Sequence, residues 1–234
     1  MKVGAIILAR LDSARLPGKQ LRDFAGKPLL DWLLVRCDAA GDSLDATVLA
    51  TSDRPVDDPL ADFADARGLA CFRGSADDVA ARILGAAEAH ELTHFFRMNG
   101  DSPCVLPELL RAARERVAGE PALDFVTNLR PRTFPYGVAC ELFRTDSFRA
   151  GCARMTDPRH REHVTLYFYE HASVFRFASL VHDGAPLDHL RLTVDTAEDA
   201  RFFERFLSRA GARWPQWTLA DMAAAAVELQ APAA

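Results

Sequence analysis

Long apolar runs are missing from this 234-residue sequence. No stretch approaches the roughly 20 apolar residues that a membrane-spanning helix needs. The opening apolar run stops at Arg10 without a small-residue cleavage site, so no secretory leader is expected. No basic excess exists either. The net charge is −5, which gives no support to a nucleic-acid binder. The five cysteines (37, 71, 104, 140 and 152) are odd in number and form no C-x-x-C pair, so reduced thiols and a cytoplasmic location are expected. A G-x-G pair is absent, which excludes the dinucleotide-binding fingerprint. Also absent are the G-x-S-x-G elbow of serine hydrolases and a D-x-D metal motif.

What is present is a full core. Hydrophobic residues make up 49% of the chain and charged residues 26%, ordinary values for a globular protein. Strand-like runs at residues 2–9, 46–51, 70–72 and 93–98 alternate with helical periodicity at 28–38, 57–68, 75–89 and 107–117. That rhythm predicts βαβ units and a largely parallel sheet. Gly68 should stop the second helix. Ser75 and Asp78 have the spacing of a capping box for the third. Past residue 124 the rhythm changes. We expect a strand at 124–127, an irregular hairpin at 133–143 punctuated by Pro135 and Gly137, and helices at 145–153 and 162–171. Strands at 174–178 and 190–194 should follow. Thr196 should cap a helix to residue 210, a last helix should cover 218–228, and the tail 229–234 should fray. There is no linker, repeat or low-complexity stretch. One domain is expected, with a nucleotide-binding part (1–120), an acceptor-binding part with the hairpin (121–195) and C-terminal helices (196–234).

The loop after the first strand carries three fixed cations, Arg10, Arg15 and Lys19, with Ser13 between them. Ligands of open α/β sheets bind at such strand ends. Arginine forks and a lysine ammonium match phosphate oxygens. Gly18-Lys19 is followed by Gln20, so this is not a Walker loop. Charge and position alone imply only an anion site, and a solvated basic loop is the competing reading.

The run Ala-Arg-x-x-Ser-x-Arg-Leu-Pro-Gly-Lys, followed by Ala25-Gly26-Lys27-Pro28-Leu29, resembles the opening of the CMP-sugar synthetases. These are the CMP-Kdo synthetases, the acylneuraminate cytidylyltransferases and, most closely, the SpsF-like spore-coat polysaccharide cytidylyltransferases. Further landmarks resemble the same family: Ala50-Thr51-Ser52-Asp53, Arg73-Gly74-Ser75-Ala76-Asp77-Asp78-Val79, Asn99-Gly100-Asp101-Ser102-Pro103 and Val194-Asp195-Thr196-Ala197-Glu198-Asp199. The resemblance implies a three-layer α/β/α, Rossmann-like nucleotidyltransferase fold of GT-A-like type, with a mostly parallel sheet and an inserted β-hairpin. It implies CTP as substrate, Mg²⁺ as cofactor, a small-molecule acceptor and a homodimer.

Carried over residue by residue, it implies nucleotide contacts from Leu8, Ala9, Arg10, Ser13, Arg15, Lys19, Thr51, Ser52, Arg73, Gly74, Ser75, Asp78, Asn99 and Gly100. It implies Asp101 and Asp195 as metal carboxylates, with Arg15 and Lys19 completing the catalytic set. Acceptor contacts would come from Asn128, Arg132, Tyr136, Glu141, Arg161, Glu162 and His163. Each has a plainer alternative. Ser75 can be a helix cap, Asp101 a turn residue, Asp195 a helix-start acid and His163 a tie for the hairpin. The hairpin departs from the family's Pro-Asp-Gly-x-Asp, since Tyr136 and Ala139 replace both acids. The expected activity is therefore CMP transfer to a sugar or sugar acid. A phosphonate or phosphorylated alcohol acceptor, or a nucleotide-binding module without turnover, are the alternatives. His90-Glu91-Leu92-Thr93-His94 is literally an H-E-x-x-H string. It should span a helix end and a strand start, so its histidines should not share a face and no zinc site is expected.

Overall fold

A computed structural model describes residues 1–230. The chain alternates as read through its first half: β1 (Val3–Leu8), α1 (Leu29–Asp38), β4 (Ala46–Ser52), α2 (Asp58–Ala66), β5 (Ala70–Gly74), α3 (Val79–Ala89), β6 (His94–Asn99) and α4 (Pro107–Gly119). A two-residue pair, β2 (Asp23–Phe24) and β3 (Lys27–Pro28), stands apart as a small antiparallel sheet. The second half supplies β7 (Phe125–Thr127), β8 (Glu141–Arg144), α5 (Thr145–Cys152), α6 (Pro158–Glu162), α7 (Val164–Glu170), β9 (Phe177–Ser179), α8 (Ala197–Ala210) and α9 (Leu219–Gln230).

Seven strands form one sheet in the order β5-β4-β1-β6-β8-β7-β9. β1 pairs in parallel with β4 and β6, while β8 runs antiparallel to both β6 and β7. β1 is buried on both faces because side chains alternate along a strand. Val3, Ala5 and Ile7 enter the core under α1, α2, α4, α8 and α9. Ile6 enters the other core, under α3, α5 and α7. The three-layer α/β/α expectation is met, with a mostly parallel central sheet.

Four local readings are corrected. The helix expected at 162–171 breaks at His163, so α6 and α7 meet at that residue. Residues 190–194 are extended but form no strand. They make one bridge, Arg191 to Tyr136. Residues 133–143 are not a hairpin. Glu141 onward is β8 of the main sheet, and the preceding loop lies against 187–192 through Tyr136 N–H to Leu190 O and Leu192 N–H to Tyr136 O. Asp78, not Ser75, caps α3 by accepting from Ala81 N–H at 2.8 Å. Ser75 instead closes a turn, accepting from Asp77 and Asp78 N–H. The longer acid reaches the free amide of the first turn, and the serine sits too early to do so. The last helix runs on through Leu229 to Gln230, and the rest of the tail expected to fray lies outside the described residues. Among the described residues no helix is long and apolar enough to cross a membrane.

Candidate active site

Three chain segments meet at the C-terminal ends of β1 and β6. The first is the loop after β1. Leu11 N–H donates to the buried Asp57 at 2.7 Å, and Gly18 N–H donates to Leu11 O at 3.0 Å. Gly18 has φ +68°, a conformation that costs glycine little. These bonds fold the loop back so that Lys19 points inward.

The second segment follows β6. Gly100 N–H donates to Leu8 O at 2.8 Å. A Cβ at Gly100 would meet that same oxygen at 3.1 Å, so the absence of a side chain lets the two strand ends close up. The third segment leads into α8. Val194 N–H donates to Asp101 O at 2.9 Å, and the Thr193 hydroxyl donates to the same oxygen at 3.1 Å. Thr196 and Asp199 form the full reciprocal capping box, and Asp199 also accepts from Asp195 N–H. A cap of this kind is worth about 1 kcal/mol, and here it also fixes where Asp195 stands.

The result is one charged centre. Lys19 Nζ lies 2.7 Å from Asp101 Oδ2 and 2.8 Å from Asp195 Oδ1. Arg191 lies 2.5 Å from Asp195 Oδ2, and Arg15 lies 3.4 Å from Oδ1. Burial pushes the Asp195 carboxyl up, but Lys19, Arg15 and Arg191 outweigh it and hold the group below the usual carboxylate range. Lys19 and Asp195 are buried, whereas the Arg15 side chain is 65% exposed and free to turn toward a ligand.

This centre opens into a cavity of about 490 Å³. Of the residues singled out in the sequence, Leu8, Ala9, Arg10, Ser13, Arg15, Lys19, Asn99, Asp101, Glu162, His163 and Asp195 line it. Gly100 lies directly behind, against Leu8 and Ala9. The others stand elsewhere. Thr51 and Ser52 are buried at the end of β4, with Ser52 donating to Asp57. Arg73 turns away to Ser52 O, Arg54 O and Asp58. Gly74 packs against Phe72 and Arg82, and Ser75 is taken up by its turn. Asp78 caps α3 and pairs with Arg161 at 3.3 Å. Asn128 is buried and clamps the loop that follows it, through Val138 O and Cys140 N–H. Arg132 and Arg191 lie over the exposed Tyr136 ring. Glu141 is fully buried.

Sequence reasoning missed six lining residues: Asp12, Ala14, Gln20, Val79, Arg82 and Arg97. Arg97 was findable, since it precedes Asn99 by two on the same strand face. Arg82 reads in the sequence as one charge in an Ala-rich helix, yet it is buried and donates to Ser75 O at 2.6 Å. Arg10 donates to the next carbonyl, Ala76 O, at 3.0 Å. The two arginines thereby hold the turn before α3 at the cavity edge. The H-E-x-x-H string divides as expected, with His90 capping the end of α3 and His94 opening β6.

Residues 4–210 match the family model described as cytidylyltransferase. The chain belongs to the cytidylyltransferase family. It is a CTP-using nucleotidyltransferase. It is 32% identical to the spore coat polysaccharide biosynthesis protein SpsF of Bacillus subtilis (strain 168), over 89% of this chain and 87% of that one. Among solved structures it is similar to a cytidylyltransferase from Leptospira borgpetersenii serovar Hardjo-bovis (strain JB197). The TM-score is 0.88 at 28% identity, covering 95% of this chain and 92% of that one. The CMP:2-keto-3-deoxy-manno-octonic acid synthetase complexed with CTP shares the fold, with TM-score 0.67 at 16% identity over 90% of this chain and all of that one.

Few side chains of the cytidylyltransferase could contribute to a divalent-ion site. Among the described residues no group of three or more His, Cys, Asp and Glu side chains is placed to hold a metal. Two carboxylates do converge, on the point that the Lys19 ammonium takes up. Mg²⁺ is commonly held by one or two carboxylates plus substrate phosphates, rather than by an all-protein cage.

Proposed function

We propose that this cytidylyltransferase transfers CMP from CTP to a hydroxyl of a sugar or sugar acid. The observation that carries the reading is the Lys19 ammonium held between Asp101 and Asp195 at the wall of a cavity whose rim is the Arg10–Ser13–Arg15 loop. The acceptor oxygen forms a bond to the α-phosphorus. The bond from that phosphorus to the bridging oxygen breaks, its electron pair leaves with pyrophosphate, and the acceptor's hydroxyl proton is released.

Arg15 and Lys19 bind the β- and γ-phosphates and stabilise the charge growing there. Arg10 and Ser13 add donors to the triphosphate. Asp101 and Asp195 would hold Mg²⁺, which supplies Lewis-acid charge neutralisation at the phosphates and lowers the pKa of the attacking hydroxyl. Asn99 and the backbone at Leu8 and Ala9 border the nucleotide. Glu162 and His163 line the cavity at the α6–α7 break and would contact the acceptor. The chain therefore works by positioning and electrostatics, without a covalent intermediate.

A second acceptor class is favoured by one observation. Tyr136 stands where the family places an acid, and two arginines lie over its ring. That surface suits a phosphonate or a phosphorylated alcohol. The test incubates the protein with CTP, Mg²⁺ and a panel of sugars, keto-sugar acids and phosphonates. Pyrophosphate and CMP-linked product are followed by mass spectrometry. Product from phosphonates alone overturns the sugar reading, and equal use of UTP, ATP or GTP overturns the cytidylyl preference.

The reading includes a homodimer, carried over from the family resemblance. Light scattering at the 25.8 kDa monomer mass would remove it.

A further inference from the structure

Five buried side-chain polar atoms find no hydrogen-bond partner among the described residues. Three of them, Gln20 Oε1, Arg82 Nε and Arg97 Nε, belong to residues that line the cavity. An orphaned buried donor costs about 1–3 kcal/mol, so each marks a polar side chain built into the cavity wall without a full set of protein partners. Arg97 has the fullest support behind it. The antiparallel register of β6 and β8 sets Phe96 against Leu142, which brings Arg97 beside Glu141. Arg97 Nη1 donates to Glu141 Oε2 at 3.3 Å. Glu141 has no solvent exposure and does not line the cavity.

The other oxygen of Glu141 accepts from the Tyr169 hydroxyl at 2.5 Å, and Thr127 Oγ1 lies 2.8 Å from that hydroxyl. Burial first, and then the charge of Glu141, push the Tyr169 phenol far above its ordinary value, so it stays protonated and donates. The Arg130 guanidinium lies over the Tyr169 ring at 4.7 Å. Burying a carboxylate costs several kcal/mol unless it is paired and hydrogen-bonded. Glu141 is held on both sides and out of reach of a ligand. What it does is fix the plane of one guanidinium that lines the cavity.

We propose that Arg97 contacts the acceptor, and that Glu141 and Tyr169 are positioning residues that act only through it. This rests on the reading that a CMP acceptor enters this cavity. The side follows from the residues that share the cavity wall with it. The triphosphate cations come from the loop after β1. Arg97 comes from β6, on the edge nearest β8, and shares the cavity with Glu162 and His163 of the acceptor-facing half. Arg97 thus sets acceptor affinity, and the buried pair behind it sets how well Arg97 is aimed.

The test compares wild type with E141Q, Y169F, R97K and the double variant R97K/E141Q. The first readout needs no acceptor: the ¹⁵N NMR signal of Arg97 Nε–H. It should be a single ordered resonance in wild type and averaged in E141Q. CTP affinity by calorimetry should stay within about twofold in E141Q, since Glu141 touches no triphosphate residue. With the best substrate of the acceptor panel, kcat/KM should fall at least about tenfold in E141Q, mainly through KM, and by less in Y169F. R97K/E141Q should lose no more than R97K alone, because both changes remove one unit. Losses that multiply in the double variant overturn the proposal. An Arg97 signal unchanged by E141Q overturns it as well, as does a loss confined to CTP affinity. Should E141Q fail to fold, Y169F carries the same expectations. If wild type uses no acceptor at all, the proposed function fails by that result, and the NMR signal still decides whether Glu141 positions Arg97.

Discussion

The ammonium of Lys19 lies 2.8 Å from the carboxylate of Asp195, across 176 positions of sequence. That contact joins the loop after the first strand to the start of α8. Lys19 therefore has two tasks, since it balances the carboxylates and would meet the phosphates. Replacing it with alanine leaves Asp101 and Asp195 facing each other with Arg15 and Arg191 as the remaining cations. Turnover should fall by about 100-fold or more, and CTP affinity by about tenfold, as expected for losing a charge aimed at the leaving group. Asp101→Asn keeps the shape and removes one charge. It should abolish measurable turnover while changing CTP affinity less than the lysine variant does. Pyrophosphate release and calorimetric CTP binding check both. Full activity in Asp101→Asn would show that this carboxylate is not a metal ligand.

A second prediction concerns the loop between β7 and β8. Gly137 has φ +97°, and a Cβ there would meet Leu192 backbone atoms at 2.6 Å. No flexible side chain can give way, because the obstacle is main chain. Gly137→Ala should therefore push residues 133–140 off the 187–194 segment that carries Arg191 and leads to Asp195. The melting temperature should drop by several degrees, consistent with about 1–3 kcal/mol of backbone strain. The acceptor KM should rise. A melting curve equal to wild type would show that the loop has room the geometry does not reveal.

How much of this was legible in the sequence depends on the range of the forces involved. β1, β4 and β6 were readable because a strand buried on both faces is a short continuous apolar run. The cap at Thr196 was readable because its partner Asp199 is three residues away. The loop before Glu141 was not. Pro135 and Gly137 signal a turn locally, but Tyr136 takes its hydrogen bonds from Leu190 and Leu192, and no periodicity announces a partner more than fifty positions on. Glu141 misled for the same reason. An acid in a family motif reads as a ligand until Arg97 and Tyr169 fold around it from other elements. Arg82 was hidden because burial of a single arginine leaves no sequence signal of its own.

The cysteines give a third prediction. Burial pushes the thiols of Cys37, Cys104 and Cys152 up to about 12, and that of Cys140 higher still. A thiol alkylates through its thiolate, so these four should be inert in the folded protein. Cys71 is only half-buried, and nearby Arg73 partly opposes the upward push of its burial. Treated with iodoacetamide at pH 8, the native protein should label slowly and at Cys71 alone. The unfolded chain should label at all five cysteines. Native labelling at Cys104 or Cys140 would mean that the core opens far more readily than its packing implies.

A fourth prediction follows from how β1 is tied down at its start. Asp45 accepts from Val3 N–H at 2.7 Å and pairs with Arg114 at 2.9 Å. The Arg114 hydrogen bond first, and then the Val3 amide, hold the Asp45 carboxyl below its ordinary value. A carboxyl whose folded value is depressed adds stability above the unfolded value of about 3.9 and loses it as the pH falls through the folded value. Asp45→Asn removes the charge at every pH. Its stability deficit against wild type should be complete at pH 7, should begin to shrink near pH 4 and should close at lower pH. The site is partly exposed, so solvent screening limits the deficit to about 1 kcal/mol. Urea melts of both proteins at several pH values between 7 and 3 measure it. A deficit that stays constant or widens on acidification would mean that Asp45 acts through its shape and amide contact rather than through its charge.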